Sequence, residues 1–401
     1  MPDPVLKSST LPPAAPVRAP MPRHAPEPVI RVQQPVLPEP AAIMRYYQAS
    51  VDAGFYANGG PNARELSRRL EDYLGNIAFC IPVANCTVGL MAALRAMCGA
   101  PDPRRPVVLT PSYTFTATAC AIEWAGFEPV FVDVEAKGWH IDPTALEEAL
   151  ERYDSRVAGV LACATFGTAP TRSQRTAWRA ACERHGVPLL IDSAAGFGSI
   201  DEYGRRLGAL GDVEVFSFHA TKPFSIGEGG LITTPDAELA AEVGRMLNFG
   251  LEPGTRVSTD VGFNGKLSEL HAATGLAMLD IFDDVLVTRR RHASDVRALL
   301  HGTGVVAQRG SDRSTWQFMQ LLMPDTATRD AVVAAAPTHG VEVRTLHDPP
   351  LHRHPAFAAR ATLGSLPVTD DLAARSVSLP MANSLSATDR ERIAALVESV
   401  L

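Results

Sequence analysis

Six short, mostly unbroken apolar runs constrain this chain more than any other feature. They are Val107-Val108-Leu109, Val130-Phe131-Val132, Val157 to Ala162, Leu189-Leu190-Ile191, Val213 to Phe218 and Gly230-Leu231-Ile232-Thr233. Such runs suit strands covered on both faces. Helical stretches such as Ser173 to His185 separate several of them. The alternation predicts an α/β fold with a mostly parallel central sheet. Upstream, Asn62 to Leu74 carries Leu66, Leu70 and Leu74 at fourfold spacing, the stripe of an amphipathic helix. Thr87 to Met97 reads as a second helix, opened by Asn85, a good N-cap. A helix from Ser268 to about Asp283 is expected to face Leu270, Leu276 and Leu279 inward.

A second region begins near residue 285. The helix around Val285 to His301 leads into a smaller C-terminal α/β domain that ends with Ala387 to Leu401. The chain thus divides into three parts. Residues 1–40 are a Pro/Ala-rich tail, expected to be disordered or polyproline-like because Pro12, Pro13, Pro16, Pro20 and Pro22 forbid helix or central strand. Residues 41–284 form a large domain, within which 41–58 is a stretch that could pack on the small one. Residues 285–401 form the small domain.

Composition excludes several classes of partner. The net charge of -7 is spread without long acidic or basic blocks, so nucleic acid and anionic membranes are poor partners. No apolar stretch is long enough to span a bilayer, and the N-terminus lacks a secretory apolar core. Cys80, Cys86, Cys98, Cys120, Cys163 and Cys182 show no CxxC pairing, and no His or Cys pair has metal-ligand spacing. Free thiols, a cytoplasmic location and no metal site are the expectation.

In open parallel sheets, ligands sit beyond the carboxyl ends of the strands. After Leu109 comes Pro111-Ser112-Tyr113-Thr114-Phe115; after Ile191 comes Asp192-Ser193-Ala194-Ala195-Gly196. The fifth run ends in Ser217-Phe218-His219-Ala220-Thr221-Lys222, with Gly227-Glu228-Gly229-Gly230 beyond it. One crevice would receive an aromatic ring, a carboxylate, a hydroxyl and an amine. A cofactor with a phosphate, a pyridine ring and an aldehyde needs these groups. The phosphate wants amides at a helix start, which Asn85-Cys86-Thr87 provides. The pyridine nitrogen wants a carboxylate, and the aldehyde wants a lysine. Singly, each residue also has a plain structural reading: Asp192 as a helix cap, Phe115 as core, Ser217 as a buried hydroxyl. Their order and shared placement raise the chemical one.

These stretches resemble the DegT/StrS family of sugar aminotransferases, which use pyridoxal 5'-phosphate (PLP) and share the aspartate-aminotransferase fold (fold type I). The similarity runs over roughly residues 41 to 400. It is carried by Gly59-Gly60-Pro61, Pro111 to Thr118, Pro129 to Val134, Phe216 to Lys222, Glu228-Gly229-Gly230, Phe263 to Glu269 and Leu379-Pro380-Met381. The resemblance implies that 41–284 is a PLP-binding domain, with Lys222 as the Schiff-base lysine and Ser217 as a phosphate-binding hydroxyl. By the same resemblance Asp192 pairs with the pyridine nitrogen and Phe115 stacks on the ring. Asn85, Cys86 and Thr87 occupy the phosphate turn, and Asn264 reaches the phosphate of a partner subunit in a homodimer. L-Glutamate or L-glutamine is the implied amino donor, and a nucleotide-linked keto-sugar the implied acceptor.

The chain departs from the pattern at Ala195, where relatives carry Gln or His on the cofactor's ring hydroxyl, and at Asn85-Cys86, where they carry Ser-Gly. Lys222 counts against a dehydratase relative, in which histidine replaces the lysine. Lys222, Asp192 and Ser217 together count against a non-catalytic ligand-binding relative. A G-x-G-x-x-G helix opening, needed by an NAD-binding protein, is missing. His219 could approach the cofactor or be held structurally, and His347, His352 and His354 are expected in a surface loop.

Overall fold

The computed structural model describes residues 29–401, so most of the Pro-rich tail lies outside the described residues. Two helices that begin with proline come first, α1 (Pro40–Ala53) and α2 (Pro61–Tyr73). Proline suits a first turn, where its missing N–H would have had no helical partner. The chain then alternates through β1 (Phe79–Val83), α3 (Cys86–Cys98), β2 (Val107–Pro111), α4 (Thr116–Trp124), β3 (Glu128–Val132), α5 (Pro143–Tyr153) and β4 (Val157–Cys163). It continues through α6 (Arg172–His185), β5 (Leu189–Asp192), β6 (Val213–Ser217), β7 (Gly230–Thr234), α7 (Ala237–Met246), α8 (Glu269–Leu279) and α9 (Phe282–Leu299).

The seven strands form one sheet in the order β1-β7-β6-β5-β4-β2-β3. The pairs from β3 through β2, β4 and β5 to β6 are parallel, and β7 runs antiparallel to both β6 and β1. The expected mostly parallel sheet is therefore present. Every residue of β2, β4, β5, β6 and β7 is buried, as strands between two helix layers require. Beyond α9 lie β8 (Val306–Ala307), β9 (Met319–Leu322), α10 (Thr326–Ala335), α11 (Pro367–Arg375), β10 (Ser376–Leu379) and α12 (Ala387–Glu398). Their strands make a separate antiparallel sheet, β10-β9-β8.

The two parts meet on α9. Phe282, in its first turn, stacks on Phe197 (5.6 Å between centroids) and meets Phe224 edge-on at 5.0 Å. Gly198 allows that approach: at φ +91° its backbone is left-handed, and a Cβ there would stand 2.6 Å from Phe282. Farther along, Ala293 and Val296 of α9 join the core beneath the small sheet with Met319, Leu321, Val377 and Leu379.

Residues 29–39 have defined places. Ile30 exchanges backbone hydrogen bonds with Gly340 and Glu342, both 2.9 Å, and Val32 is fully buried. From there the segment crosses to the Lys222 loop, where Gln33 Nε2 donates to the Thr221 carbonyl and Ser225 Oγ donates to the Val36 carbonyl. Helix α1 packs on α2 and α8.

Leu66, Leu70 and Leu74 are buried as their spacing predicts. Leu270 is not: it is 47 % exposed, on the face of α8 turned away from the buried Glu269 and Leu276. The helix expected to reach Asp283 stops at Leu279, and Asp280 and Ile281 separate it from α9.

Candidate active site

Sheet register brings the candidate residues together. Asp192 ends β5 beside Val215 on one flank and Cys163, the last residue of β4, on the other. Ser217 ends β6 opposite Gly230, the first residue of β7. Gly230 in turn lies against the start of α3: a Cβ there would be 2.9 Å from the Cys86 nitrogen and 2.9 Å from the Phe216 carbonyl oxygen. The carboxylate, the hydroxyl and the helix start thus share one edge of the sheet.

Asn85 caps α3 as its sequence predicts, its Oδ1 accepting from the Val88 amide at 2.9 Å. Cys86 and Thr87 follow it in the first helical turn, where amides have no partner inside the helix. The dipole of α3 adds positive potential there, so the turn suits an anion. Cys86 is buried, and desolvation pushes its thiol well above the ordinary range, so it stays neutral and adds no repulsion.

Asp192 is 3 % exposed. Its Oδ2 accepts from Thr118 Oγ1 at 2.7 Å and its Oδ1 from the Ala194 amide at 3.0 Å. Burial raises its pKa above the usual carboxylate value, opposed by those two donors and by the charge of Lys222. A buried carboxylate in this state calls for a cationic partner. Thr118 reaches it because α4 begins at Thr116, directly after Phe115, and turns its first residues toward the end of β5. Phe115 itself is 65 % exposed and takes part in no ring–ring contact among the described residues.

Lys222 lies in the loop between β6 and β7, its amide donating to the His219 carbonyl at 2.8 Å. The side chain keeps some surface open to the cleft, yet enough protein surrounds the ammonium for desolvation to lower its pKa. Asp192, Cys86 and Cys163 face it electrostatically. Its Nζ donates to Gln317 Oε1 at 3.0 Å. Among the described residues no group of three or more His, Cys, Asp or Glu side chains is placed to hold a metal ion.

The remaining candidates fall into two groups. His219 bonds Thr221 Oγ1 through Nδ1 (2.7 Å) and pairs with Glu228 (3.5 Å), beside the lysine. His352 bonds Ser112 Oγ at 2.8 Å and His354 bonds the Pro349 carbonyl at 2.9 Å, so both are held structurally. Asn264 is exposed and bridges Asn248; it makes no hydrogen bond to Asp192, Ser217 or Lys222 of its own chain. His347 is not the surface residue expected. Its ring lies 4.9 Å from Phe166 and 5.2 Å from Tyr113, and burial beside Lys222 pushes its pKa down to about 3.

Thr118 and Gln317 are neighbours of Asp192 and Lys222 that sequence reasoning did not single out, and His347 is one that it placed in a surface loop. Thr118 left a signal, standing four residues after Thr114 in a helix that follows a strand, and the two hydroxyls are 3.0 Å apart. Gln317 left none, because its place depends on contacts remote in sequence.

The fit to PLP is good on these grounds: a buried carboxylate, a lysine amine facing it, a hydroxyl, a helix start suited to an anion and an unstacked aromatic face. Comparison with known proteins agrees. The chain is 37% identical over 374 residues to Protein Rv3402c of Mycobacterium tuberculosis, covering 92% of this chain and 90% of that protein. It is 29% identical to the dTDP-4-amino-4,6-dideoxy-D-glucose transaminase of Escherichia coli, covering 89% of this chain and 95% of the relative. The crystal structure of DesI in the presence of its TDP-sugar product superposes with a TM-score of 0.83 at 32% identity, covering 94% of this chain and 93% of that one. Residues 39–398 match the DegT/DnrJ/EryC1/StrS aminotransferase family. The chain therefore belongs to that family of PLP-dependent aminotransferases.

Proposed function

We propose that this chain binds PLP through Lys222 and transfers an amino group from L-glutamate or L-glutamine to the ketone of a nucleotide-linked keto-sugar. The single observation that carries this reading is the convergence of Lys222 and the buried Asp192 at one sheet edge. The acceptor class is supported by the sugars named for the E. coli relative and for DesI.

When bound, PLP supplies an electron-withdrawing ring that accepts charge from the substrate carbon. Asp192 holds the proton on the pyridine nitrogen, and Thr118 and the Ala194 amide keep the carboxylate oriented. The amides of Cys86 and Thr87, with Ser217 Oγ, would hold the phosphate, and Phe115 would cover the ring. Lys222 would move the proton at the substrate carbon, as base and then acid. Burial lowers its pKa below the ordinary lysine value, which favours the free amine that a base requires. Asn264 serves the phosphate of a partner subunit in a homodimer, which agrees with its exposure and with its lack of a role in its own chain's site.

The test is an incubation of the PLP-loaded protein with nitrogen-labelled L-glutamate or L-glutamine and a panel of nucleotide-linked keto-sugars. Label in an amino-sugar product supports the reading. Label passing to simple keto acids but to none of the sugars would overturn the acceptor assignment and leave the aminotransferase chemistry standing.

A further inference from the structure

The Thr221 carbonyl, directly before Lys222, accepts from two side-chain amides: Gln33 of the N-terminal segment and Gln317 of the segment before β9, the latter at 3.3 Å. Gln317 is 5 % exposed, and its Oε1 takes the Lys222 ammonium at 3.0 Å. It is fixed from below. Trp316 adopts a left-handed backbone (φ 51°) that a bulky residue holds only when its surroundings enforce it. The buried Arg289 supplies that constraint by donating to the Trp316 carbonyl at 3.0 Å. Thr315 Oγ1 donates to the Ala195 carbonyl at 2.7 Å, which ties this segment to the loop after β5.

PLP carries its ring oxygen on the carbon next to the one bearing the aldehyde, so a lysine joined to the aldehyde brings that oxygen close to its own nitrogen. A side chain within hydrogen-bond reach of Lys222 Nζ, as Gln317 is, is thus a candidate to meet that oxygen. Ala195 has no donor to offer it. Thr315 has spent its hydroxyl on the Ala195 carbonyl. Gln317 Nε2 carries two hydrogens, of which the Thr221 carbonyl takes one.

We infer that Gln317, reaching in from the small C-terminal part, donates the hydrogen bond to the cofactor's ring oxygen that Ala195 cannot make, and receives the Lys222 amine on its carbonyl oxygen when the lysine is released. One carboxamide thus serves both states of the lysine. This inference rests on the PLP reading above. The other titratable groups facing Lys222 are Asp192, Cys86, Cys163 and His347. Gln317 hydrogen-bonds none of them; its partners are Lys222 and the Thr221 carbonyl.

The test is a pH titration of the visible band of the lysine-bound cofactor, comparing wild type, Gln317→Ala, the near-isosteric Gln317→Met, and Gln317→Met with Ala195→Gln. A donor on the ring oxygen stabilises its negative charge most when the imine nitrogen has lost its proton, so the donor lowers the midpoint. Removing it is expected to raise the midpoint by about one pH unit, and Ala195→Gln is expected to bring it back down. An unmoved midpoint in Gln317→Met, with the band intact, would overturn the inference while leaving PLP binding in place. A merely structural clamp on Thr221 would alter melting temperature or cofactor affinity without moving the midpoint, and that result overturns it too. Absence of the band from the wild type would be failure of the PLP reading itself.

Discussion

Thr118 Oγ1 stands 2.7 Å from Asp192 Oδ2, and both side chains are buried. The first turn of α4 thus holds the end of β5. A hydrogen bond to a charged group contributes about 1.5–3 kcal/mol, and losing one leaves the carboxylate with a single donor, the Ala194 amide. Thr118→Val keeps the shape and removes the donor. PLP affinity is expected to fall roughly tenfold or more, since about 1.4 kcal/mol is a factor of ten. Titration of cofactor-free protein with PLP checks this; unchanged affinity would show that Thr118 does not support the pyridine contact.

Gly230 sets the distance between β7 and the Asn85–Cys86 turn. Its absent Cβ would press on backbone atoms: the Cys86 nitrogen at 2.9 Å, the Phe216 oxygen at 2.9 Å and the Asn85 carbon at 3.0 Å. Backbone cannot rotate away as a side chain can. Gly230→Ala should therefore displace the Asn85–Cys86 turn and weaken binding of PLP and of free phosphate together. Equal phosphate inhibition of PLP binding in variant and wild type would argue that the turn does not hold the phosphate.

Glu214 gives the fold a pH dependence of its own. It is buried within β6, accepting from Ser193 Oγ and from the Leu210 amide, and desolvation raises its pKa from 4.5 to about 7. Between those values the folded chain holds a proton that the unfolded chain has released. The stabilisation is complete below 4.5 and is lost as pH rises through about 7. Denaturant unfolding across that window should show wild-type stability falling more steeply with pH than that of Glu214→Gln, by up to about 1.4 kcal/mol per pH unit. Parallel slopes would mean that Glu214 is not protonated in the fold.

What could be read from the sequence follows from how local each cause is. The runs that became β2 through β7 are buried on both faces, so apolar content alone marked them. Asn85 was legible because a cap acts within three residues, on Val88. Strand β1 was not: Phe79-Cys80-Ile81-Pro82-Val83 carries a proline and an exposed Phe79, both tolerable only at the sheet edge where it lies. The short strands β8, β9 and β10 gave too little pattern to separate from loop. Gln317 and His347 were illegible for a different reason. Their places depend on left-handed backbone at Trp316 and His347 and on partners such as Arg289 and Phe166, far away in sequence.

The most direct measurement is the visible absorption spectrum of the purified protein with added PLP, before and after L-glutamate, beside Lys222→Ala. Covalent attachment at Lys222 predicts a yellow band in the wild type that glutamate converts to the pyridoxamine form, and no such band in the variant before glutamate. A wild-type protein that never acquires the band, or a Lys222→Ala variant that acquires the same one, would contradict the assignment of Lys222 as the residue that carries the cofactor.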